Sequence, residues 1–466
     1  MDRQSGETHV VLFTLWLTVF SLASQVMIVA PILPRIGERL GVESSLLGTL
    51  ITAYAVGVAV FALLTGPVSD HVGRRRVLRF GTGLLTVALA LHAFADGFAS
   101  LLAVRALAGV AGGMLNGAAV AYVGDYFPRE RRGWANGWVM SGLAAGQIAG
   151  VPAGTVLAAR FGFRAPFLAF TIPAALSFLL YWIAVPQPDV ERASDRLSVR
   201  GAVGGYGRLL RRSDVAAVSA MFLLIFLGVS TYVAYLPTWL ESRRGATAAT
   251  VAVLFLVGGV ANVLAGPRAG RLSDRVGRKP VIVGASLGVT AVVLLTPVVV
   301  TSLWLAYPVF FLAMALLASR ISPLQALLTE LVTGEQRGSA MNLSIGIGQI
   351  GFGVGGVVAG AAYVSFGYAG NAAISGASMF LVTALAWRYL PDVRPTPAPT
   401  AEPGPGEGAF PSAVAIAEHG VQDALCGPLH EAGHVPRPAV GGARVDDSDD
   451  ARGARRGIES ADADDP

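Results

Sequence analysis

The amino-acid sequence predicts an all-α polytopic membrane protein, with twelve transmembrane helices in two parallel six-helix repeats. Three observations carry that prediction. Of 466 residues, 53% are hydrophobic and 14% charged, and the mean hydropathy is +0.59, outside the range of ordinary soluble domains. The chain contains a dozen apolar stretches of about 20 residues, the length that crosses ~30 Å of hydrocarbon. A glycine-bearing cationic segment also occurs twice: Gly66-Pro67-Val68-Ser69-Asp70-His71-Val72-Gly73-Arg74-Arg75-Arg76 returns about two hundred residues later as Gly270-Arg271-Leu272-Ser273-Asp274-Arg275-Val276-Gly277-Arg278-Lys279-Pro280.

Taken in order, the first six spans are placed at 10–32, 46–68, 77–95, 98–124, 134–158 and 165–186. The run from Val10 to Leu33 is too long for a signal-peptide core and has no convincing cleavage site, so it reads as a retained helix ending near Pro31 and Pro34. The second six fall at 215–238, 248–267, 280–300, 303–329, 338–365 and 368–390. Residues 1–189 and 215–391 are thus two six-helix halves, and 190–214, with Arg192, Arg196, Arg200, Arg208, Arg211 and Arg212, is a linker. Residues 392–466 turn to Pro, Gly, Ala and acid, a composition expected to remain disordered.

Short loops carrying Arg74, Arg75, Arg76, Arg79, Arg129, Arg131, Arg132, Arg275, Arg278 and Lys279 are expected on the cytoplasmic side, with both termini. Arg35, Arg39, Arg243 and Arg244 weaken that bias without reversing it. The net charge of +5 and pI near 9.5 therefore report topology and contact with anionic lipid, not a nucleic-acid surface. The single cysteine, Cys426, excludes an intramolecular disulfide or a cysteine metal cage.

The repeat extends further. Asp125-Tyr126-Phe127-Pro128-Arg129-Glu130-Arg131-Arg132-Gly133, after span four, matches Glu330-Leu331-Val332-Thr333-Gly334-Glu335-Gln336-Arg337-Gly338, after span ten. With these paired loops, residues 10–391 resemble the major facilitator superfamily. Val29-Ala30-Pro31-Ile32-Leu33-Pro34, Arg105-Ala106-Leu107-Ala108-Gly109, and the Gly142, Gly146, Gly150, Pro152, Gly154 series are similar to drug:proton antiporters and arabinose-efflux-like permeases. The span-five match is partial, because Gly150-Val151-Pro152-Ala153-Gly154 departs from the antiporter pattern.

The resemblance implies a parallel repeat with substrate held between the halves near midplane. It also implies a conformational latch at the basic loops: Gly66, Asp70, Gly73 and Arg74 in one half, Gly270, Asp274, Gly277 and Arg278 in the other, with Asp125 and Glu330 completing two charge clusters. A basic loop that only sets topology and binds lipid is the plainer reading. Gly146, Gly150, Pro152 and Gly154 would form a hinge in span five.

Arg105 is the sharpest single residue, since a cation two turns inside an apolar helix either faces a cavity or partner or snorkels to the interface. Gln25 lies at similar depth. Arg320, beside Ser322-Pro323, poses the same choice. Gln25, Tyr54, Asn116, Gln147, Tyr232, Tyr235 and Gln349 are candidates for the substrate cavity. No carboxylate lies deep in any span, so proton coupling would run through Asp70, Asp125, Glu330 or Glu241, or be absent.

Enzyme signals fail in context. His430-Glu431-Ala432-Gly433-His434 sits among prolines and glycines in the tail, and Gly346-Ile347-Gly348-Gln349-Ile350-Gly351 continues a membrane helix instead of following a strand. No metal, cofactor or ATP site is expected. The sequence reads as a monomeric secondary transporter in the cell membrane that exports a small organic molecule (drug, sugar or metabolite) by proton antiport with alternating access. A uniporter or importer of a sugar or metabolite, or a receptor-like protein without transport, are the alternatives.

Overall fold

The computed structural model describes residues 2–128, 131–188, 199–333 and 336–390, without the side chains of 2–6, Pro67, Asp70 and 199–203; among these residues every regular element is helical. Arg129, Glu130, the linker segment 189–198 and the tail from 391 onward lie outside the described residues.

Span one is two helices, Asp2–Met27 and Val29–Leu40, so Pro31 and Pro34 do not end it as expected. The i→i−4 ladder is interrupted ahead of them instead, at Ile28, whose own dihedrals stay helical (φ −66°, ψ −23°). Pro31 then falls in the first turn of the new helix, where backbone N–H groups have no intrahelical partner and a missing one costs little. Span two is Ser44–Leu47 with Thr49–Val72, span three Arg74–Leu91, span four Phe98–Tyr126 and span six Ala165–Ile183. Span five joins Arg132–Ala145 to Val151–Phe161 through a π-turn at Gly146–Gly150, with Pro152 at the start of the second helix.

After a linker helix, Val199–Leu210, span seven comprises Ser213–Ala234 and Leu236–Arg244. Spans eight, nine and ten are Ala248–Val276, Arg278–Val299 and Leu303–Leu331. Span eight runs past Pro267, where the sequence suggested an end. The last helix, Arg337–Tyr389, has 53 residues and would be about 80 Å long if straight, far more than one bilayer needs. Gly367, at φ 64° and ψ −164°, breaks it. Among the described residues eleven helical segments are long and apolar enough to span a membrane, and the Gly367 break divides the last into spans eleven and twelve.

Large apolar side chains point outward on many spans, among them Ile172, Trp182, Trp304 (83% exposed), Phe366 and Trp387. Such a surface suits lipid, and tryptophans near helix ends suit the interface.

The two basic turns have the same backbone. Gly73 (φ 100°, ψ 138°) and Gly277 (φ 98°, ψ 152°) each donate their N–H to the carbonyl four residues earlier, Ser69 and Ser273, at 3.0 Å. A positive φ of this kind needs glycine.

Span five packs on span one through a glycine ridge. An added Cβ at Gly142 would meet Trp16 O at 2.6 Å, at Gly146 Ala23 Cβ at 2.8 Å, at Gly150 Ser24 Oγ at 2.1 Å and at Gly154 Ile28 Cδ1 at 2.8 Å. The four-residue rhythm keeps one face against the neighbour. The π-turn, in which Val151 N–H reaches back to Gly146 O, shifts the face that carries Gln147.

Candidate functional site

The halves meet most closely at the end opposite the basic loops. Spans two and eleven touch backbone to backbone there: a Cβ at Gly356 would lie 2.6 Å from Gly48 O, and one at Gly360 2.3 Å from Ser45 O. Thr52 Oγ1 donates to Gly353 O at 2.5 Å. Tyr235 of span seven crosses the divide, its hydroxyl donating to Ser44 O (2.5 Å) and accepting from Gly48 N–H (3.1 Å). Beside it, Arg35 of span one pairs with Glu241 at 3.5 Å.

Toward the basic end the same two spans are in contact through side chains, Gly66 facing Asn342 and Gly346 facing Leu63. A vestibule of about 780 Å³ opens there, lined by Gly66, Ser69, Arg74, Gly117, Tyr206, Arg208, Arg212, Gln336 and Asn342. The linker helix roofs it, with Tyr206 donating to Leu63 O at 3.2 Å. Hydrogen bonding to Asp214 holds the Arg212 guanidinium above its usual range.

Between these ends, spans one, two, five, seven, eight, ten and eleven enclose a second cavity of about 220 Å³. Its lining is apolar, including Val26, Met27, Ile51, Phe226, Val233, Phe255, Phe310, Met314 and Phe352, and its polar members are Gln147, Ser230 and Asn262. Asn262 Nδ2 donates to Gln147 Oε1 at 3.1 Å, joining span eight to span five.

Of the sequence candidates for a substrate cavity, Gln147 alone appears on this wall. Tyr235 belongs to the closure described above. Tyr232 is buried within the second half, hydroxyl to hydroxyl with Thr296 at 3.2 Å and stacked on Phe310. Asn116 is exposed on span four and Gln349 half-buried on span eleven. Sequence reasoning missed Asn262 and Ser230, although an amide within an apolar run is the same signal that singled out Gln147.

Gln25, Tyr54 and Arg105 come together one layer away, inside the first half. Arg105 is 2% exposed, so it does not snorkel. Its Nη1 donates to Gln25 Oε1 at 2.9 Å and Gln25 O at 3.3 Å, and its guanidinium lies 4.8 Å from the Tyr54 ring centre. His92, which the sequence analysis did not single out, is buried nearby, stacked on Phe167 at 3.9 Å with Nδ1 against Ala88 O at 2.8 Å. Arg320 is fully buried in the second half, its Nη1 against Met379 Sδ at 2.7 Å.

The basic loops hold two matched charge clusters. Arg74 Nε meets Asp125 Oδ2 at 2.9 Å, and its Nη1 donates to Ser69 Oγ at 2.8 Å. Arg278 Nε meets Glu330 at 3.0 Å and Nη1 lies 3.5 Å from Asp274. Each cluster lies within one half. Gly270 faces Ser322; Asp70 is in the last turn of span two, and its side chain lies outside the described residues.

Two related six-helix units around a central cavity, drawn together most tightly at one end, have the architecture of a membrane transporter. The chain belongs to the Major Facilitator Superfamily, whose description matches residues 15–315 and 244–428. It is 27% identical over 354 residues to an uncharacterized MFS-type transporter, YceJ, of Bacillus subtilis, covering 75% of this chain and 89% of the relative. The multidrug resistance protein MdtG of Proteus mirabilis is 26% identical over 335 residues, covering 69% and 81%. Among solved structures, a D-xylose-proton symporter superposes with a TM-score of 0.69 at 17% identity, over 83% of this chain and 98% of the symporter. The human organic anion transporter MFSD10 superposes at 0.63 and 19%, over 83% and 100%.

Proposed function

We propose that this transporter exports a small lipophilic molecule from the cell by proton antiport, its halves rocking about the central cavity. The observation that carries this reading is the asymmetry of the inter-half contacts: tight, backbone-level closure at one end, and a vestibule at the end with the basic loops. Positive loops favour the cytoplasmic face, so we take the closed end as external, both termini as cytoplasmic and the vestibule as facing the cytoplasm, the side from which an exporter in the plasma membrane loads. The apolar cavity wall and the similarity to multidrug resistance proteins support a drug-like cargo. Residues 1–189 and 215–391 act as the rocking units, joined by 190–214. The Arg74–Asp125 and Arg278–Glu330 clusters, with Asp70 and Asp274, serve as the conformational latch, each bracing the loop ends of its own half at the cytoplasmic end. Arg105, Gln25 and Tyr54 provide the buried polar centre through which proton binding is communicated.

Full-length protein in liposomes, with an acidic lumen and a fluorescent drug panel outside, tests this. Inside-out molecules should drive drug accumulation together with lumenal alkalinisation, reported by entrapped pyranine and abolished by nigericin. Drug entry of equal rate with and without the pH gradient would instead establish a uniporter.

A further inference from the structure

The central cavity has a built polar edge in an otherwise apolar wall, and its chemistry specifies what it can hold. Gln147 and Asn262 share one hydrogen bond across the halves at 3.1 Å. The Gln147 N–H2 group and the Asn262 carbonyl oxygen lie outside that bond. On the neighbouring wall, Ser230 is 1% exposed and its hydroxyl has no hydrogen-bond partner among the described residues. A buried hydroxyl without a partner is costly in an apolar setting, and this one borders a cavity of about 220 Å³. No charged side chain lines that cavity among the described residues.

We infer that the cavity is a binding site for uncharged, largely apolar molecules bearing a hydrogen-bonding group, read by Ser230 and the Gln147–Asn262 pair. An ion entering it would lose hydration without gaining a counter-charge, so the site discriminates against permanently charged cargo. Position adds a second consequence. The amide pair ties span five to span eight, so a ligand that takes over one of its bonds loosens a link between the halves at the same moment that it binds. The π-turn at Gly146–Gly150 aims Gln147 at the cavity, a use of such turns that recurs at functional sites.

This inference deepens the proposed export and rests on it, but binding and transport are measured separately. Purified full-length protein is assayed for equilibrium binding of tritiated progesterone, a neutral lipophile with carbonyl acceptors, and tetraphenylphosphonium, a lipophilic cation. Progesterone should bind saturably and the cation at least ~10-fold more weakly. Ser230→Ala, Gln147→Leu and Asn262→Leu should each weaken progesterone by ~3- to 10-fold, the worth of one neutral hydrogen bond. Asn262→Asp should gain affinity for the cation, a result that misfolding cannot produce. Equal wild-type binding of both probes, absence of progesterone binding, or progesterone affinity unchanged in all three apolar variants would overturn the inference. Selective binding with no gradient-driven flux would leave it standing and sink proton-coupled export; flux without this selectivity would do the reverse.

Discussion

Arg105 carries three contacts that no single smaller cation reproduces: both oxygens of Gln25 and the face of Tyr54. A guanidinium can hold a hydrogen-bonded oxygen in its plane while presenting its flat face to a ring, whereas an ammonium is a compact point charge. Arg105→Lys and Arg105→Ala are therefore both expected to lower gradient-driven transport at least ~10-fold, in line with the loss of a charge-assisted hydrogen bond of ~1.5–3 kcal/mol. Both should still insert and remain monodisperse, because alanine removes the buried cation together with its desolvation cost and lysine adds no charge that arginine did not already carry. Near-normal flux in the lysine variant would reduce Arg105 to a packing residue. The three members of this cluster were each legible in the sequence as polar residues in apolar spans. Their convergence was not, since it depends on how spans one, two and four rotate against each other. Ser230 was invisible for a different reason: a serine in an apolar helix ordinarily bonds back to its own turn, as Thr231 does to Leu227, and only the packed structure shows that Ser230 does not.

The helices themselves were largely readable, because length and hydropathy set them and the paired turns at Gly73 and Gly277 set their order. What the sequence misplaced follows from proline. Pro31 and Pro267 both looked like helix ends, yet one lies in a first turn and the other is carried within a long helix. Glycines were ambiguous in the same way, being turn, ridge or filler until neighbours are known. Gly356 and Gly266 show the contrast: a methyl at Gly356 would meet the Gly48 carbonyl oxygen at 2.6 Å, while one at Gly266 meets nothing within 4 Å. Backbone cannot move aside as a flexible side chain can. Gly356→Ala should therefore keep the end opposite the basic loops from closing and cut transport at least ~10-fold, the scale of a few kcal/mol on two nearly balanced states, and Gly266→Ala should leave transport unchanged. An impermeant maleimide reports the difference through a cysteine at position 51, on the cavity wall, in a Cys426→Ser background. Labelling should rise with Gly356→Ala and stay at the reference level with Gly266→Ala; unchanged labelling in both would show that the close crossing of spans two and eleven does not hold that end shut.

At the scale of the molecule, transport by rocking requires that the contacts joining the halves at one end separate during each cycle. The structure offers a direct way to forbid that. An ideal Cβ at Gly353 lies 3.2 Å from Ala55 Cβ, a few tenths of an ångström inside the ~3.5–4.5 Å usual for a disulfide, and the two positions belong to opposite halves. Gly353 also tolerates a side chain better than Gly356, since its neighbours are the Ala55 and Thr52 side chains and the Thr52 Cα at 3.6 Å, not a carbonyl oxygen. The double variant Ala55→Cys, Gly353→Cys, again with Cys426→Ser, should form the bond under mild oxidation and stop gradient-driven flux almost completely. Reduction should restore flux to the level of the unoxidised variant, which separates locking from damage. Progesterone binding should survive in the oxidised form, because the cross-link fixes the same closure that frames the cavity and leaves the vestibule side untouched. Oxidised protein that transports at the reduced rate, with the cross-link verified by mass, would mean that spans two and eleven stay together throughout the cycle and that access alternates by some motion other than rocking of the halves.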